Sequence, residues 1–216
     1  MSEKLPSREQ AIQLLHESQC SAKVIKHCKA VAKVALETAE ACKKRGFSVD
    51  LELVEIGALL HDVGRSKTHT VHHAVVGVEI AQAAGLPESV ISIIKRHVGG
   101  GITAAEAREL GWPSEEGYFP LTLEEKIVSY ADKLIEGSKK VSVETTIEHL
   151  SRDLKPEAAV RIRKLHNEIA KLVGKVNGPE TDPNRIHAGH LVRVAHRRIG
   201  RPTSQAPQQS GGYETP

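Results

Sequence analysis

The sequence predicts an all-α domain, and two observations carry this prediction. Aromatic residues make up only 3% of the chain, so the core must be built from Ala, Val, Leu and Ile, which suits close-packed helices better than a β-sandwich with aromatic cross-strand pairs. Apolar residues also recur at the 3.6-residue period of an α-helix in segment after segment. The 216 residues, 39% hydrophobic and 26% charged, suffice for one bundle with a single sizeable core.

Capping signals and periodicity place the helices along the chain. Ser7 with Gln10 predicts a capping box at the start of a short first helix, and Gly46 ends a long second one. The predicted helices lie at about residues 7–19, 22–45, 50–62, 72–84, 87–98, 103–110, 122–136, 143–151 and 156–174. The glycines at 99–101 and the segment 111–120 are predicted loops.

The composition changes at Gly178, which predicts a helical domain at residues 1–177 and a basic extension at residues 178–216. Residues 186–199 are compatible with one basic helix, and residues 201–216, rich in Pro, Gln, Ser and Gly, are predicted to form a flexible, disordered tail. We interpret the basic helix as a solvated or self-association element, which leaves a homo-oligomer open. The net charge of only +3 and the lack of interleaved aromatic residues argue against nucleic-acid binding.

The sequence contains no run of about 18 apolar residues and no apolar leader with a cleavage site, so it predicts neither a membrane span nor a secretory signal. We therefore expect a cytoplasmic protein with no membrane partner. The three cysteines, Cys20, Cys28 and Cys42, form no CxxC pair. This argues against a disulfide framework or a zinc knuckle and predicts reduced thiols.

Residues of metal-ligand type lie on the apolar faces of five predicted helices: His27, His61, Asp62, His73, His97 and Asp132. His27, for example, shares a helical stripe with Val24 and Val31. A buried imidazole or carboxylate without a partner costs several kcal/mol, roughly, and a shared cation removes that cost. One such histidine alone would be interpreted as a core residue bonded to a carbonyl, but the whole set predicts a metal site.

The string LLHDVGR at residues 59–65, with HAVVG from His73 and KIVSYADKL from Lys126, resembles the HD superfamily of metal-dependent phosphohydrolases. The resemblance runs over about residues 21–137 and implies the HD-domain helical bundle. The additional His73 and His97 are similar to the dinuclear branch, and HDVGRSKTH and RHVGGGITAAEA resemble an archaeal branch of the superfamily.

The resemblance implies two metal ions, one held by His27, His61, Asp62 and Asp132 and the other by His73 and His97. Asp62 would bridge, because the two oxygens of a carboxylate can reach both ions of a pair about 3.5–4 Å apart, and a bridging hydroxide would be the nucleophile. Nitrogen and oxygen donors without thiolate suit iron, manganese, cobalt, nickel or zinc. The resemblance favours iron or manganese.

His72 competes with His73 for the role of ligand. Counted along the helix, His72 aligns with Val75, Val76 and Glu79, which form a poorer apolar stripe. We therefore prefer His73.

Arg65 and Lys67, just after the His-Asp pair, are candidates to bind the phosphate oxygens of a substrate and to stabilise the charge of the transition state. They follow Gly64, a residue suited to ending a helix in the left-handed conformation. Solvated loop charge is an equal alternative for both. Arg96 and Lys133 also neighbour ligands, but adjacent helical residues point about 100° apart, which argues against a role for them.

The loop at 111–120 holds half of the chain's aromatic residues, Trp112, Tyr118 and Phe119. An aromatic loop after a ligand helix could stack on a base or pterin ring. Packing across the surface of the bundle is the favoured interpretation.

Together these patterns predict a phosphohydrolase or phosphodiesterase that cleaves a phosphate ester or phosphodiester, including a cyclic phosphate, of a nucleotide-like small molecule. The alternative is a non-catalytic module that senses a nucleotide or metal and binds a partner through its C-terminal segment. The complete set of six ligand-type residues argues against a retired active site.

Overall fold

The computed structural model describes residues 4–112, 117–150 and 156–174, and these ranges form an all-α bundle, which confirms the predicted fold class. Its helices are α1 Arg8–Glu17, α2 Ala22–Lys44, α3 Leu51–Leu60, α4 His73–Ala83, α5 Glu88–Arg96, α6 Ala104–Glu109, α7 Leu123–Asp132, α8 Val143–Leu150 and α9 Pro156–Leu172. Short 3₁₀ helices lie at Val63–Ser66 and Val98–Gly100, and strands β1 Ile135–Glu136 and β2 Lys139–Lys140 pair antiparallel.

The first two helices begin and end as their sequence signals predict. The Ser7 hydroxyl accepts from the Gln10 backbone N–H while the Gln10 side chain accepts from that of Ser7, so the capping box is present. Gly46 follows the end of α2 with a φ of +89°, a conformation that glycine adopts without a Cβ penalty.

Helix α2 packs against α3 and α7, and α5 packs against α3, α4 and α7. The core between them is aliphatic, with Val31, Leu59, Leu60, Ile93 and Ile127 all buried. Burial of each such side chain contributes about 1.5–3 kcal/mol. The ends of these tightly packed helices therefore have fixed positions relative to one another.

The helix predicted at 122–136 is shorter than expected, because α7 ends at Asp132. The chain then turns through a hairpin in which Ile135 pairs with Lys140 and Glu136 pairs with Lys139. The Val141 N–H also bonds the Leu134 carbonyl, at 2.8 Å. These cross-strand bonds satisfy backbone groups that a longer helix would have used, and they place the hairpin turn beside α2.

Helix α9 reaches the middle of the bundle by packing on the glycines at 99–101. A Cβ atom on Gly100 would lie 3.1 Å from the Ile162 backbone nitrogen and 3.3 Å from the Arg161 carbonyl carbon, and the φ of Gly100 is +69°. Only glycine satisfies both conditions without strain. The triglycine therefore allows α9 to approach the residues that follow α5.

The predicted boundary at 177/178, the basic helix at 186–199 and the tail at 201–216 fall outside the described residues, so they stay predictions. Within the described ranges, no helix is both long and apolar enough to cross a membrane. The cysteines Cys20, Cys28 and Cys42 are buried free thiols.

Candidate metal centre

The predicted ligand residues converge at the ends of the central helices. His27 lies in the second turn of α2, His61 caps α3 and Asp62 follows it, His73 opens α4, His97 caps α5, and Asp132 is the last residue of α7. Because the helix ends are fixed by the core, the side chains meet without a loop having to order around them.

Asp62 lies in the middle of this group, and its two carboxylate oxygens face different histidine pairs. Its Oδ2 is 3.7 Å from Nε2 of His27 and 3.7 Å from Nε2 of His61. Its Oδ1 is 3.1 Å from Nε2 of His73 and 3.5 Å from Nε2 of His97. The carboxylate therefore stands between two pairs of imidazoles.

Asp132 completes the half that contains His27 and His61. Its Oδ1 is 3.1 Å from His27 Nε2 and 3.5 Å from His61 Nε2. The donor atoms of these three residues lie within 4.8 Å of one another, and so do those of His61, Asp62 and His97. Metal–ligand bonds of about 2 Å place ligand atoms roughly 3–4 Å apart, so this spacing can hold metal ions.

Backbone carbonyls orient all four imidazole rings. The Nδ1 atoms of His27, His61, His73 and His97 lie 2.9, 2.7, 2.7 and 2.7 Å from the carbonyl oxygens of Gly137, Ala58, Thr70 and Ile94 in that order. Because a carbonyl only accepts, each Nδ1 carries the hydrogen, and Nε2 of the neutral ring offers a lone pair. Metal-binding histidines are typically oriented in this way.

Several of these lone pairs face one another. Nε2 of His73 is 3.0 Å from Nε2 of His97, and two lone pairs at this distance repel unless a cation or proton lies between them. His61 Nε2 and Asp62 Oδ1 are buried and have no hydrogen-bond partner among the described residues. Both observations fit a group of ligands arranged around divalent metal ions.

The charges at the centre suit metal binding as well. Burial raises the pKa of Asp62 and of Asp132, but His61 beside the former and Lys133 beside the latter hold both pKa values well below the ordinary range. Burial lowers the pKa of His97 to about 4. Burial lowers the pKa of His61 too, yet Asp62 and Asp132 outweigh it and raise that pKa. At neutral pH the carboxylates are ionised and His97 is neutral, as metal ligands must be.

The structure places His73, and not His72, in the centre. His72 is exposed, its Nε2 is 3.0 Å from the Leu110 carbonyl, and its ring lies edge-on to Trp112 with the centroids 6.0 Å apart. The two neighbouring histidines therefore point to different parts of the molecule.

The two predicted phosphate-binding cations differ in position. Arg65 Nε donates to Asp62 Oδ2 at 2.5 Å, and Arg65 Nη1 donates to the His69 carbonyl at 3.3 Å. Lys67 is exposed and is not among the described residues that line the cavities at the centre. The geometry supports Arg65 as a residue of the site and gives no such support to Lys67.

Lys133 lies at the centre, contrary to the expectation from helical angles. Its Nζ is 2.5 Å from Asp132 Oδ2. The backbone of Lys133 is still helical, so its Cβ keeps the angular offset from Asp132, but its long, flexible side chain turns back to the carboxylate of its neighbour. Arg96, by contrast, pairs with Glu125, with 2.8 Å between Nη1 and Oε1. As expected, Arg96 is not among the described residues that line the cavities at the centre.

Gly64 serves a different purpose from the one predicted. Its φ is outside the left-handed region, but a Cβ atom there would lie 2.6 Å from the Gly77 nitrogen and 2.9 Å from the His73 carbonyl carbon. The absent side chain lets the segment that carries Asp62 lie directly against α4. The close approach of this segment to α4, and not the end of a helix, therefore explains why a glycine stands at position 64.

Two cavities open onto the centre. One, of about 640 Å³, is lined in part by Ser21, Lys23, Gly137 and Thr146, and we call it the α2 cavity. The other, of about 510 Å³, is lined in part by Val98, Ile102, Glu106, Leu110 and Arg161, and we call it the α9 cavity. Both are lined by Arg65, His69, Asp132 and Lys133.

Among these lining residues, His69 and Arg161 were not identified from the sequence, and Lys133 was considered there but set aside. None of them lies on an apolar stripe that precedes a ligand, so the signal that identified the histidines was absent. For His69, the run HDVGRSKTH offered a hint, since a second histidine follows eight residues after His61.

The predicted aromatic loop packs against the protein itself. Trp112 and Tyr118 are buried, with ring centroids 4.8 Å apart in an edge-to-face pair, and they pack with Ile102 and Ala107. Phe119 is partly exposed. Packing against the bundle, the favoured interpretation, therefore accounts for Trp112 and Tyr118. Residues 113–116 of this loop lie outside the described ranges.

Comparison with known proteins finds one matching family model and several related proteins. The family model "HD domain" matches residues 24–137. An uncharacterized protein of Methanocaldococcus jannaschii is 46% identical over 167 residues, which cover 76% of this chain and 98% of that protein. A tRNA (cytidine(56)-2'-O)-methyltransferase of Picrophilus torridus is 35% identical over 171 residues, 79% of this chain, and the chain spans only 48% of that protein's length.

Among solved structures, the HD domain of the L. monocytogenes phosphodiesterase PgpH in complex with cyclic-di-AMP is 17% identical, with a TM-score of 0.46. The match covers 83% of this chain and 100% of the other. The family model spans more than half of the sequence and includes all six converging residues. Because this model matches more than half of the chain, the chain belongs to the HD domain family.

Proposed function

We propose that this protein is a metal-dependent phosphohydrolase that cleaves a phosphate ester or phosphodiester of a nucleotide-like small molecule. One observation carries the proposal: each oxygen of Asp62 faces its own pair of histidine nitrogens. A single carboxylate between two sets of lone pairs is what a dinuclear centre requires.

In this proposal, His27, His61, Asp62 and Asp132 would hold one ion, and His73 and His97 would hold the second, with Asp62 as the ligand shared by both. Burial raises the pKa of Cys28 well above its ordinary value, so this nearby thiol stays neutral and the donors are nitrogen and oxygen. Iron or manganese is favoured, and cobalt, nickel or zinc also fits such donors. Two bound ions would supply an acidified water and positive charge beside the phosphate.

The chain itself supplies two further positive charges. Arg65 is held against Asp62 at 2.5 Å and Lys133 against Asp132 at 2.5 Å, and both line the two cavities. A phosphate in the space that the two cavities share would therefore have both cations in its lining. Each such donor contributes about 10²–10³ to turnover where charge develops in the transition state.

Burial strengthens these interactions. His61 is fully buried and Asp62 is 3% exposed, so water screens the charges at the centre poorly. The same burial keeps the ligands in one arrangement before any substrate binds, which lowers the reorganisation needed for reaction.

The test is an activity screen on the protein loaded separately with iron, manganese, cobalt, nickel and zinc. Phosphomonoesters, cyclic and linear phosphodiesters and dinucleoside polyphosphates are offered as substrates, and metal content is measured alongside. We expect close to two ions per chain and hydrolysis that a chelator abolishes. A protein that holds two ions and hydrolyses none of these compounds would contradict the proposal.

Ligand variants separate the roles of the two halves. Asp62→Ala should lose turnover and most of the metal, because both ions lose their shared negative ligand. His73→Ala should keep about one ion and lose turnover by about 10² or more. His72→Ala is the matched control and should behave as wild type, since His72 lies outside the centre. A His73→Ala variant that kept both ions and full turnover would contradict the proposed dinuclear mechanism.

A further inference from the structure

The two cavities share four lining residues, and these include both cations proposed to bind the phosphate, Arg65 and Lys133. Arg65, His69, Asp132 and Lys133 line both of them, whereas every other described lining residue belongs to one cavity. A phosphate placed between Arg65 and Lys133 therefore has space on two sides. A phosphomonoester or a small cyclic phosphate would fill one of these spaces and leave the other to water.

Apolar side chains line the part of the α9 cavity that the α2 cavity does not share. Val71, Val98, Ile102, Leu110 and Ala158 line it there, and the α2 cavity does not share them. Walls of this kind favour a flat, apolar face, because contact with such a face removes water from both surfaces.

The charged side chains at the same end are Arg161, Glu106 and Glu109, among the residues that the structure describes. One cation beside two carboxylates gives no excess of positive charge, so this end disfavours a second phosphate. A neutral group that offers hydrogen-bond acceptors to Arg161 is the better fit.

Arg161 is held in place before any ligand binds. Its Nη2 donates to Glu106 Oε1 at 2.9 Å, and the side chain is 15% exposed. Glu106 is fixed in turn by the capping box of α6, where its Oε2 accepts from the Thr103 N–H at 2.7 Å and from the Thr103 hydroxyl at 2.8 Å. An arginine whose planar fork is already oriented loses little entropy when it binds a planar partner.

We propose that the α9 cavity binds a neutral heteroaromatic ring, such as a nucleobase, of a linear phosphodiester whose second alcohol group occupies the α2 cavity. Arg161 is then a specificity-determining residue, and it lies beyond residues 24–137, where the family model matches. The inference rests on the proposed function and names its substrate class. Water would form the new bond to phosphorus, one ester P–O bond would break, and the leaving alkoxide would take up the proton, giving a phosphomonoester and an alcohol.

The first experiment compares substrates on the metal-loaded protein. Adenylyladenosine, a linear dinucleoside monophosphate, should be hydrolysed with a higher kcat/KM than adenosine monophosphate or adenosine 2′,3′-cyclic phosphate. A higher kcat/KM for either of the latter two would overturn the requirement for two groups while leaving the proposed phosphohydrolase intact.

The second experiment compares Arg161→Met with Arg163→Met, a matched control on the same helix. The Arg163 side chain is exposed, and its Nη1 lies 3.9 Å from Glu144 Oε1 in a long, solvent-exposed ion pair. The ratio of kcat/KM for adenylyladenosine to that for methyl 4-nitrophenyl phosphate, which has no base, should fall about ten-fold to hundred-fold in Arg161→Met. It should stay unchanged in Arg163→Met. Arg161→Lys, which keeps the charge but not the planar fork, should fall between them.

A binding measurement keeps the inference testable if no compound is hydrolysed. Calorimetry on the chelator-treated protein should show adenylyladenosine binding that Arg161→Met weakens about ten-fold or more and that Arg163→Met does not change. Equal binding by the two variants would overturn the role of Arg161. Binding that depends on Arg161 without any hydrolysis would contradict the proposed function and leave the ring site standing.

Discussion

Replacing Gly64 with alanine tests whether the centre depends on the close approach of Asp62 to α4. The added Cβ would lie 2.6 Å from the Gly77 nitrogen and 2.9 Å from the His73 carbonyl carbon, where ordinary contact begins at 3.4 Å. Since these are backbone atoms, the two segments must separate by about 1 Å, and a misplacement of this size costs about 10² in turnover. The same overpacking costs about 1–3 kcal/mol of folding stability.

The expected result for Gly64→Ala is loss of one metal ion and about a hundred-fold loss of turnover, because the 3.1 Å between His73 Nε2 and Asp62 Oδ1 would lengthen beyond what one ion spans. Elemental analysis, steady-state kinetics and thermal melting measure the three effects.

Gly46→Ala is the matched control for lost stability. A Cβ on Gly46 meets nothing within 4 Å, but the φ of +89° makes alanine strained there, which costs about 1–3 kcal/mol. This variant should melt earlier and keep both ions. Wild-type turnover with two ions in Gly64→Ala, or the same metal loss in Gly46→Ala, would refute the reasoning.

Three further predictions concern charge, pH and the C-terminal segment. Lys133→Met should keep the metal but lower kcat/KM by about 10²–10³, because it removes a cation from the phosphate position; an unchanged kcat/KM would exclude Lys133 from the site. Burial lowers the folded-state pKa of His97 to about 4, so in the metal-free protein the contribution of His97 to stability should fall, by about 3 kcal/mol at most, as the pH drops from about 6.5 to 4, because the unfolded chain binds a proton there that the folded chain does not. Denaturant melts at several pH values should show this slope in the chelated protein and a smaller one in His97→Gln. Removing residues 201–216 should leave turnover and Tm nearly unchanged, because this segment has almost no apolar side chains to bury; kinetics and melting of the truncated protein decide it.

The sequence alone determined the fold class and the residues that converge. His73 was preferred to His72 from helical periodicity, and the structure places His73 at the centre. This succeeded because the direction of a side chain on a helix depends on a local repeat of 3.6 residues, which can be counted without knowing what the helix packs against. Helix starts such as Ser7 are equally local, since a cap involves residues three apart.

Local signals failed where the chain left regular structure. The hairpin after Asp132 replaced a predicted helical extension, and cross-strand bonds such as that from Val141 to Leu134 decided where α7 stops. Lys133 was misplaced because a helical angle gives the direction of Cβ and not the reach of a long side chain.

Only the tertiary structure decided which atoms face one another. The carbonyl that orients His27 belongs to Gly137, 110 residues away, and Arg161 reaches Glu106 across 55 residues. Gly64 was interpreted from its own backbone, whereas its role comes from the backbone of α4. A periodic pattern fixes the face on which a side chain lies, but the distances between faces depend on how closely the backbones pack, and no single segment carries that information.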